Sequence, residues 1–238
     1  MSETVLEIDG ISAGYGDLTV LRDISIAVKG GTVAGIIGPN GHGKTTLINA
    51  ISGFVRTAHG QIRLDGKRID HLTPHKIVAK GVVQIPQGDF IFPDLTVAEN
   101  LYIGGYLEPT AEVRGSRLDH VFSIFPKLAD RRHQIASTLS GGERRMLAIG
   151  RGLMVKNRIL LIDEPSLGLA PIVIDQIYEV LRSLKKAGNT IILVEENPGR
   201  IDDFADELFL IDNGSVVWSG SPREAERMDS MLETYLGV

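Results

Sequence analysis

The stretch GPNGHGKTT, Gly38 to Thr46, satisfies the pattern G-x-x-x-x-G-K-[ST] from Gly38 to Thr45. The apolar run Thr32 to Ile37 leads straight into it, and a helical pattern from Gly43 to Ser52 follows, with Gly53 as its stop. Gly38, Gly41 and Gly43 can take positive φ, which turns consecutive backbone N–H groups towards a phosphate, and the helix that follows adds its positive end. Lys44 supplies a point charge for the β- and γ-phosphates, and the Thr45 hydroxyl is the expected Mg²⁺ ligand. Asn40 and Thr46 belong to the same nucleotide-holding loop. His42 falls at a free position of the pattern and is expected to be incidental.

The 238 residues suffice for one large α/β domain with a subdomain, and two independent domains are not expected. A formal net charge of −5 gives no general attraction to polyanions, so nucleic acid is not an expected partner. Cysteine is absent, which excludes disulfides, thiolate metal sites and a cysteine nucleophile and fits a reducing cytosol. The N-terminus MSETVLEIDG lacks the layout of a signal peptide, and nowhere do about 18 apolar residues run together. The chain itself is expected neither to cross a membrane nor to be exported by that route.

Outward from the loop, Leu6 to Ile11 and Ile24 to Val28 alternate like half-buried strands. Further strands are predicted in QIRLDG, ahead of an Asp65-Gly66 turn, and over Val82 to Ile85, RILLID, Thr190 to Val194, Glu207 to Ile211 and Ser215 to Ser219. Helical patterning covers Val97 to Met154, including AEVRGSRLDHVFSIFPKL, and again Ile172 to Lys186. Strands separated by helices predict a mainly parallel sheet, with residues 88–153 as a helical insertion.

RILLIDEP places Asp163 and Glu164 at the carboxyl end of a buried strand, where ligands of open α/β sheets bind. Asp163 suits the metal-side carboxylate, and Glu164 is placed to polarise an attacking water as general base. Water as acceptor points to an ATPase. TLSGGERRMLAIGRGLM, Thr138 to Met154, starts a helix at Ser140 with Gly141 and Gly142, exposing N–H groups and a hydroxyl that could meet an anion.

Taken with the P-loop and the apolar-Asp-Glu strand, that segment resembles the signature motif of ATP-binding cassette (ABC) ATPases. The resemblance runs from Leu6 to Gly237. It implies a P-loop NTPase α/β fold with an antiparallel β-subdomain near residues 1–70 and a helical subdomain near 88–153, all in one cassette. It implies ATP and Mg²⁺ as cofactors. It also implies a head-to-tail pair of cassettes, self or paralogue, in which Ser140, Gly141 and Gly142 close over the γ-phosphate held by the other P-loop. Tyr15 in AGYGD matches the aromatic that stacks on adenine, the alternative being a turn tyrosine packed on the sheet. Gln87 in VVQIPQGDF matches the Q-loop glutamine, a Mg²⁺ or water contact; Gln84 competes for that role but lies within the strand.

Three positions depart from the family pattern. The D-loop, Ser166 to Ala170, ends in Ala where Asp is usual. Arg144 replaces a usual Gln. Glu196 stands where the γ-phosphate-sensing histidine belongs, and an ionised carboxylate cannot donate a hydrogen bond. Glu196 is nonetheless kept as a catalytic candidate, and Glu195 reads as a solvated loop residue.

DEPSLGLAP, FPDLTVAENLYIGGY and the VEEN switch are most similar to the ATP-binding subunits of branched-chain amino acid and amide or urea importers. That implies a peripheral protein on the cytoplasmic face of the membrane, bound to transmembrane permease subunits and served by an external solute-binding protein. Phe90, Ile91 and Phe92 offer an apolar docking surface or, equally, core. A soluble ABC ATPase of DNA repair or translation and a weakly hydrolysing nucleotide switch remain the alternatives.

Overall fold

The structure is a computed structural model and describes residues 3–226. The end of the ABC resemblance, up to Gly237, lies outside the described residues. In chain order the strands are β1 Thr4–Tyr15, β2 Leu18–Lys29, β3 Val33–Ile37, β4 Thr57–Leu64, β5 Lys67–Arg68, β6 Val82–Ile85, β7 Ile159–Asp163, β8 Ile191–Val194, β9 Glu207–Asp212 and β10 Ser215–Gly220. The helices are α1 Lys44–Ile51, α2 Pro74–Ala79, α3 Val97–Gly104, α4 Ala111–Ile124, α5 Pro126–Asp130, α6 Gly141–Leu153, α7 Pro171–Lys186 and α8 Pro222–Glu226.

Two sheets organise these elements. The first runs β2-β1-β4-β5 and is antiparallel throughout; the second runs β10-β9-β3-β8-β7-β6, parallel except for β10 at its edge. Successive side chains of a strand point to opposite faces. In β7, Leu160 and Ile162 enter the apolar cluster formed with the helices α3 to α7, whereas Ile159 and Leu161 enter the cluster shared with α1 and the first sheet. Both faces of the parallel sheet are covered, which is why RILLID and Thr32–Ile37 read as unbroken apolar runs.

The β-subdomain strands outrun their sequence pattern. β1 and β2 each span 12 residues because the ladder continues through irregularities between Ile8 and Ala13 that interrupt the alternation. The segment AEVRGSRLDHVFSIFPKL divides at Phe125, whose backbone leaves the helical region ahead of Pro126. Between β6 and β7 the chain forms α3 to α6, which pack against one another beside the parallel sheet.

The carboxyl ends of β3, β8, β7 and β6 lie side by side. β3 delivers the glycine loop, β8 delivers Glu195 and Glu196, β7 delivers Asp163 and Glu164, and β6 runs into Gln87. That alignment places the chemistry along one edge of the sheet.

Candidate active site

The glycine loop joins β3 to α1 with Gly38, Gly41 and Gly43 all at positive φ. Gly38 shows the need most directly: at φ +145°, a Cβ there would lie 2.1 Å from the Ile211 carbonyl oxygen. Asn40, Gly41 and Gly43 of the loop, with Lys44, Thr45, Thr46, Gln87, Glu164 and Leu167, line a cleft of about 250 Å³. Lys44 is buried and its Nζ donates to the carbonyls of Gly38 (2.7 Å) and Pro39 (3.0 Å), 3.9 Å from Glu164 Oε1. Burial pulls its ammonium below the usual lysine value, and the carboxylates of Glu164, Glu196, Asp163 and Glu195 oppose that shift.

Glu164 is only 7% exposed and sits at φ +43°, a left-handed conformation uncommon outside glycine. Its Oε2 accepts from Gln87 Nε2 at 3.0 Å, so the Q-loop amide touches the general-base candidate. Gln84 instead remains in β6 and donates to Asn49. Next to Glu164, burial raises the Asp163 carboxyl to about 6; Glu164 adds to the rise, whereas the Thr45 hydroxyl, Lys44 and Arg145 oppose it. Asp163 Oδ1 is buried without a hydrogen-bond partner. An orphaned carboxylate oxygen beside a threonine hydroxyl is a donor set that suits a hard divalent cation. Among the described residues no three His, Cys, Asp or Glu side chains converge, so such a cation would rely on nucleotide oxygens and water as well.

Ser140 caps α6 reciprocally: its hydroxyl accepts from Glu143 N–H while Glu143 Oε2 accepts from Ser140 N–H at 2.9 Å. Ser140 is exposed, and neither it nor Gly141 nor Gly142 lines the cleft of its own chain. Gly142 is buried against α7, where an added Cβ would lie 2.4 Å from Val173 Cγ1. Tyr15, 52% exposed at the end of β1, has its hydroxyl 3.5 Å from Asn49 Nδ2 of α1. Phe90 (67%) and Phe92 (45%) are exposed, whereas Ile91 packs partly against the core.

Residues 21–167 match the family described as ABC transporter. The chain belongs to the ABC transporter family. It is 40% identical over 233 residues to the high-affinity branched-chain amino acid transport ATP-binding protein BraG of Pseudomonas aeruginosa, covering 98% of this chain and all of that one. It is 36% identical to the probable branched-chain amino acid transport ATP-binding protein LivF of Archaeoglobus fulgidus, covering 96% and 97% of the two chains. Among solved structures, the ADP conformation of an ATP-binding cassette of an ABC transporter superposes with a TM-score of 0.86 at 28% identity over the whole of both chains. The fold, ATP binding and ATP hydrolysis of the family therefore apply to this cassette.

The cassette departs from its sequence reading at two residues. Glu195 is not a solvated loop residue: it is 1% exposed and bonded to Ser166 and Tyr178, because β8 and α7 enclose it. His42 is not incidental, since its Nδ1 lies 2.7 Å from Asp212 Oδ1 and accepts from Asn213 N–H, tying the glycine loop to the β9–β10 turn. Glu196 is exposed and accepts from Asn40 Nδ2 at 2.9 Å, so the switch side chain meets the phosphate loop. Ala170 caps α7 with no side-chain bond, which leaves the D-loop without its usual carboxylate.

Sequence reasoning missed Arg145. Its guanidinium is buried and donates to the carbonyls of Pro86 and Gly88 on one side and of Glu164 and Pro165 on the other, binding the loop after β6 to the loop that carries Glu164. The neighbouring Arg144 pairs with Asp89 at 2.8 Å. Two successive arginines at the start of an amphipathic helix were the only signal, and the carbonyl partners of Arg145 are remote in sequence.

Proposed function

We propose that this cassette powers an importer of branched-chain amino acids or related amides, bound to permease subunits on the cytoplasmic face of the membrane and fed by an external solute-binding protein. The full-length likeness to BraG and LivF carries this reading. The exposed Phe90 and Phe92 support it, because they offer a permease helix an apolar seat three residues from Gln87 and next to Asp89, which holds Arg144 of the signature helix.

In the proposed cycle, ATP enters the cleft and its phosphates replace the loop carbonyls around Lys44 with stronger, charge-assisted acceptors. The backbone N–H groups from Gly38 to Thr46 and the start of α1 hold the β- and γ-phosphates, and Tyr15 stacks on the base. A Mg²⁺ ion held by Thr45 and Asp163, with Gln87 nearby, would offset part of the triphosphate charge. Ser140 and Gly141 of a second cassette close over the γ-phosphate, with Gly142 letting that helix approach α7. Glu164 then accepts a proton from water as its oxygen attacks the γ-phosphorus and the bond to the β-phosphate oxygen breaks, leaving ADP and phosphate. Glu196, held by Asn40, reports the γ-phosphate to the loop without donating to it.

The test is uptake of labelled leucine by vesicles carrying the cassette with its permease subunits and binding protein. ATP-dependent inward transport that is lost in Lys44→Ala supports the reading. ATP turnover with outward transport, or with no permease association, would overturn it.

A further inference from the structure

Glu195 and Glu196 are neighbours that face opposite ways. Glu196 reaches Asn40 in the phosphate loop, while Glu195 turns inward and accepts from Ser166 Oγ at 3.1 Å and from the Tyr178 hydroxyl. Arg200 Nη1 lies 3.7 Å from Glu195 Oε2 and also donates to the Ser166 hydroxyl. None of these four side chains lines the cleft.

The pair joins a carboxyl that is 1% exposed to a guanidinium that is 38% exposed, and enclosing such a carboxyl is a poor way to gain stability, since apolar side chains of similar volume often do as well. Burial raises the Glu195 carboxyl and Glu164 adds to the rise, with the Tyr178 and Ser166 hydrogen bonds and Arg200 opposing. What the cluster has is location. Ser166 is two residues past Glu164 and opens the D-loop, Tyr178 lies on the helix that ends that loop, and Arg200 follows the switch. Backbone bonds tie these strand ends only as far as the sheet edge: Glu164 N–H to the Val194 carbonyl at 3.0 Å and Glu195 N–H to the Ile36 carbonyl at 3.1 Å. Beyond that edge the side-chain cluster provides the connection, in a D-loop that ends in Ala170 and has no terminal carboxylate.

We propose that Glu195 is a positioning residue for ATP hydrolysis: through Ser166, Tyr178 and Arg200 it fixes the loop carrying Glu164 to the strand end carrying Glu196, so that the base and the switch side chain move as one unit. This rests on the ATPase activity of the family and not on solute or transport direction, so the uptake assay and the test below fail separately.

The test compares the full-length chain with Glu195→Gln, Ser166→Ala and Tyr178→Phe, and with Glu195→Gln/Ser166→Ala together. Turnover of Mg-ATP is measured per bound nucleotide, with sites counted by titration with N-methylanthraniloyl-ATP. A positioning role predicts a fall in kcat of tenfold or more in Glu195→Gln and Ser166→Ala, KM and analogue affinity within twofold of wild type, and a double variant no slower than the slower single one. A merely structural role lowers the count of sites and leaves turnover per site unchanged, which overturns the proposal. Multiplying losses in the double variant also overturn it. Where Glu195→Gln does not fold, wild-type kcat in both Ser166→Ala and Tyr178→Phe is sufficient to overturn it.

Discussion

Arg145→Met is the sharpest perturbation of the frame that holds Glu164. The guanidinium bonds the Pro165 carbonyl through Nε at 3.1 Å, the Pro86 carbonyl through Nη1 at 3.0 Å, and the carbonyls of Gly88 and Glu164 as well. Methionine fills much of the volume and supplies no donor, so five carbonyls, that of Asp163 included, lose that donor in a buried or part-buried setting. Each buried acceptor left unpaired costs about 1–3 kcal/mol. Relaxation and water entry prevent a simple sum, and the loss on breaking a buried charged contact, about 3–5 kcal/mol, is the better guide. Against a typical net stability of about 5–15 kcal/mol this is large but survivable. Arg145→Lys keeps the charge but not the fork, and one ammonium cannot span carbonyls on both sides, so it is expected to lose about half as much. Urea unfolding at constant m gives the stability, and ATP turnover at low denaturant gives the function. Turnover should fall with stability even where the protein is fully folded, because the same group sets the distance between Gln87 and Glu164. A change under about 1 kcal/mol with unaltered turnover would mean that Arg145 does not hold Glu164 in place.

Gly38→Ala pushes a methyl group against the Ile211 carbonyl and is expected to cost at least about 2 kcal/mol and to abolish nucleotide binding, read by thermal melting and calorimetry. Tyr15→Ala should weaken ATP by ~1–3 kcal/mol, the range for base–aromatic stacking, while leaving tripolyphosphate affinity unchanged; equal loss for both ligands counts against stacking. Two like charges 4 Å apart repel by ~1 kcal/mol in water and ~4 kcal/mol in a partly enclosed site. Glu196→Gln and Glu196→His should therefore hydrolyse ATP at least as fast as wild type in the assembled complex. A tenfold fall in phosphate release for both variants would mean that the carboxylate itself is required.

The parts of the site legible in the sequence are those built from contiguous residues. The glycine loop needs its spacing, its strand and its helix in one run, and RILLIDEP carries both a buried strand and the acids that end it. Glu195 was not legible, because its burial depends on Tyr178, Ser166 and Arg200 arriving from three other segments. Arg145 reads as one more charge on a helix until the loops at Pro86 and Glu164 fold around it. The full length of β1 was hidden for a local reason: Gly10 at φ +57° shifts the register and breaks the alternation that marks a strand. Exposure of Phe90 and Phe92 was undecidable from type alone, since apolar residues in a loop serve a core or a partner equally well.

In the proposed cycle Glu164 is the general base of a site completed by a second cassette. Glu164→Gln keeps the shape of the side chain and cannot take a proton from water. Light scattering of this variant with and without Mg-ATP reads pairing and, with phosphate release, the role of the base. The mass should rise from 25.8 kDa to about twice that value with ATP and stay there, while phosphate release falls by about 10²–10⁴. A protein that remains at the monomer mass with ATP and releases phosphate at the wild-type rate would show that Glu164 is not the base and that no second cassette closes the site.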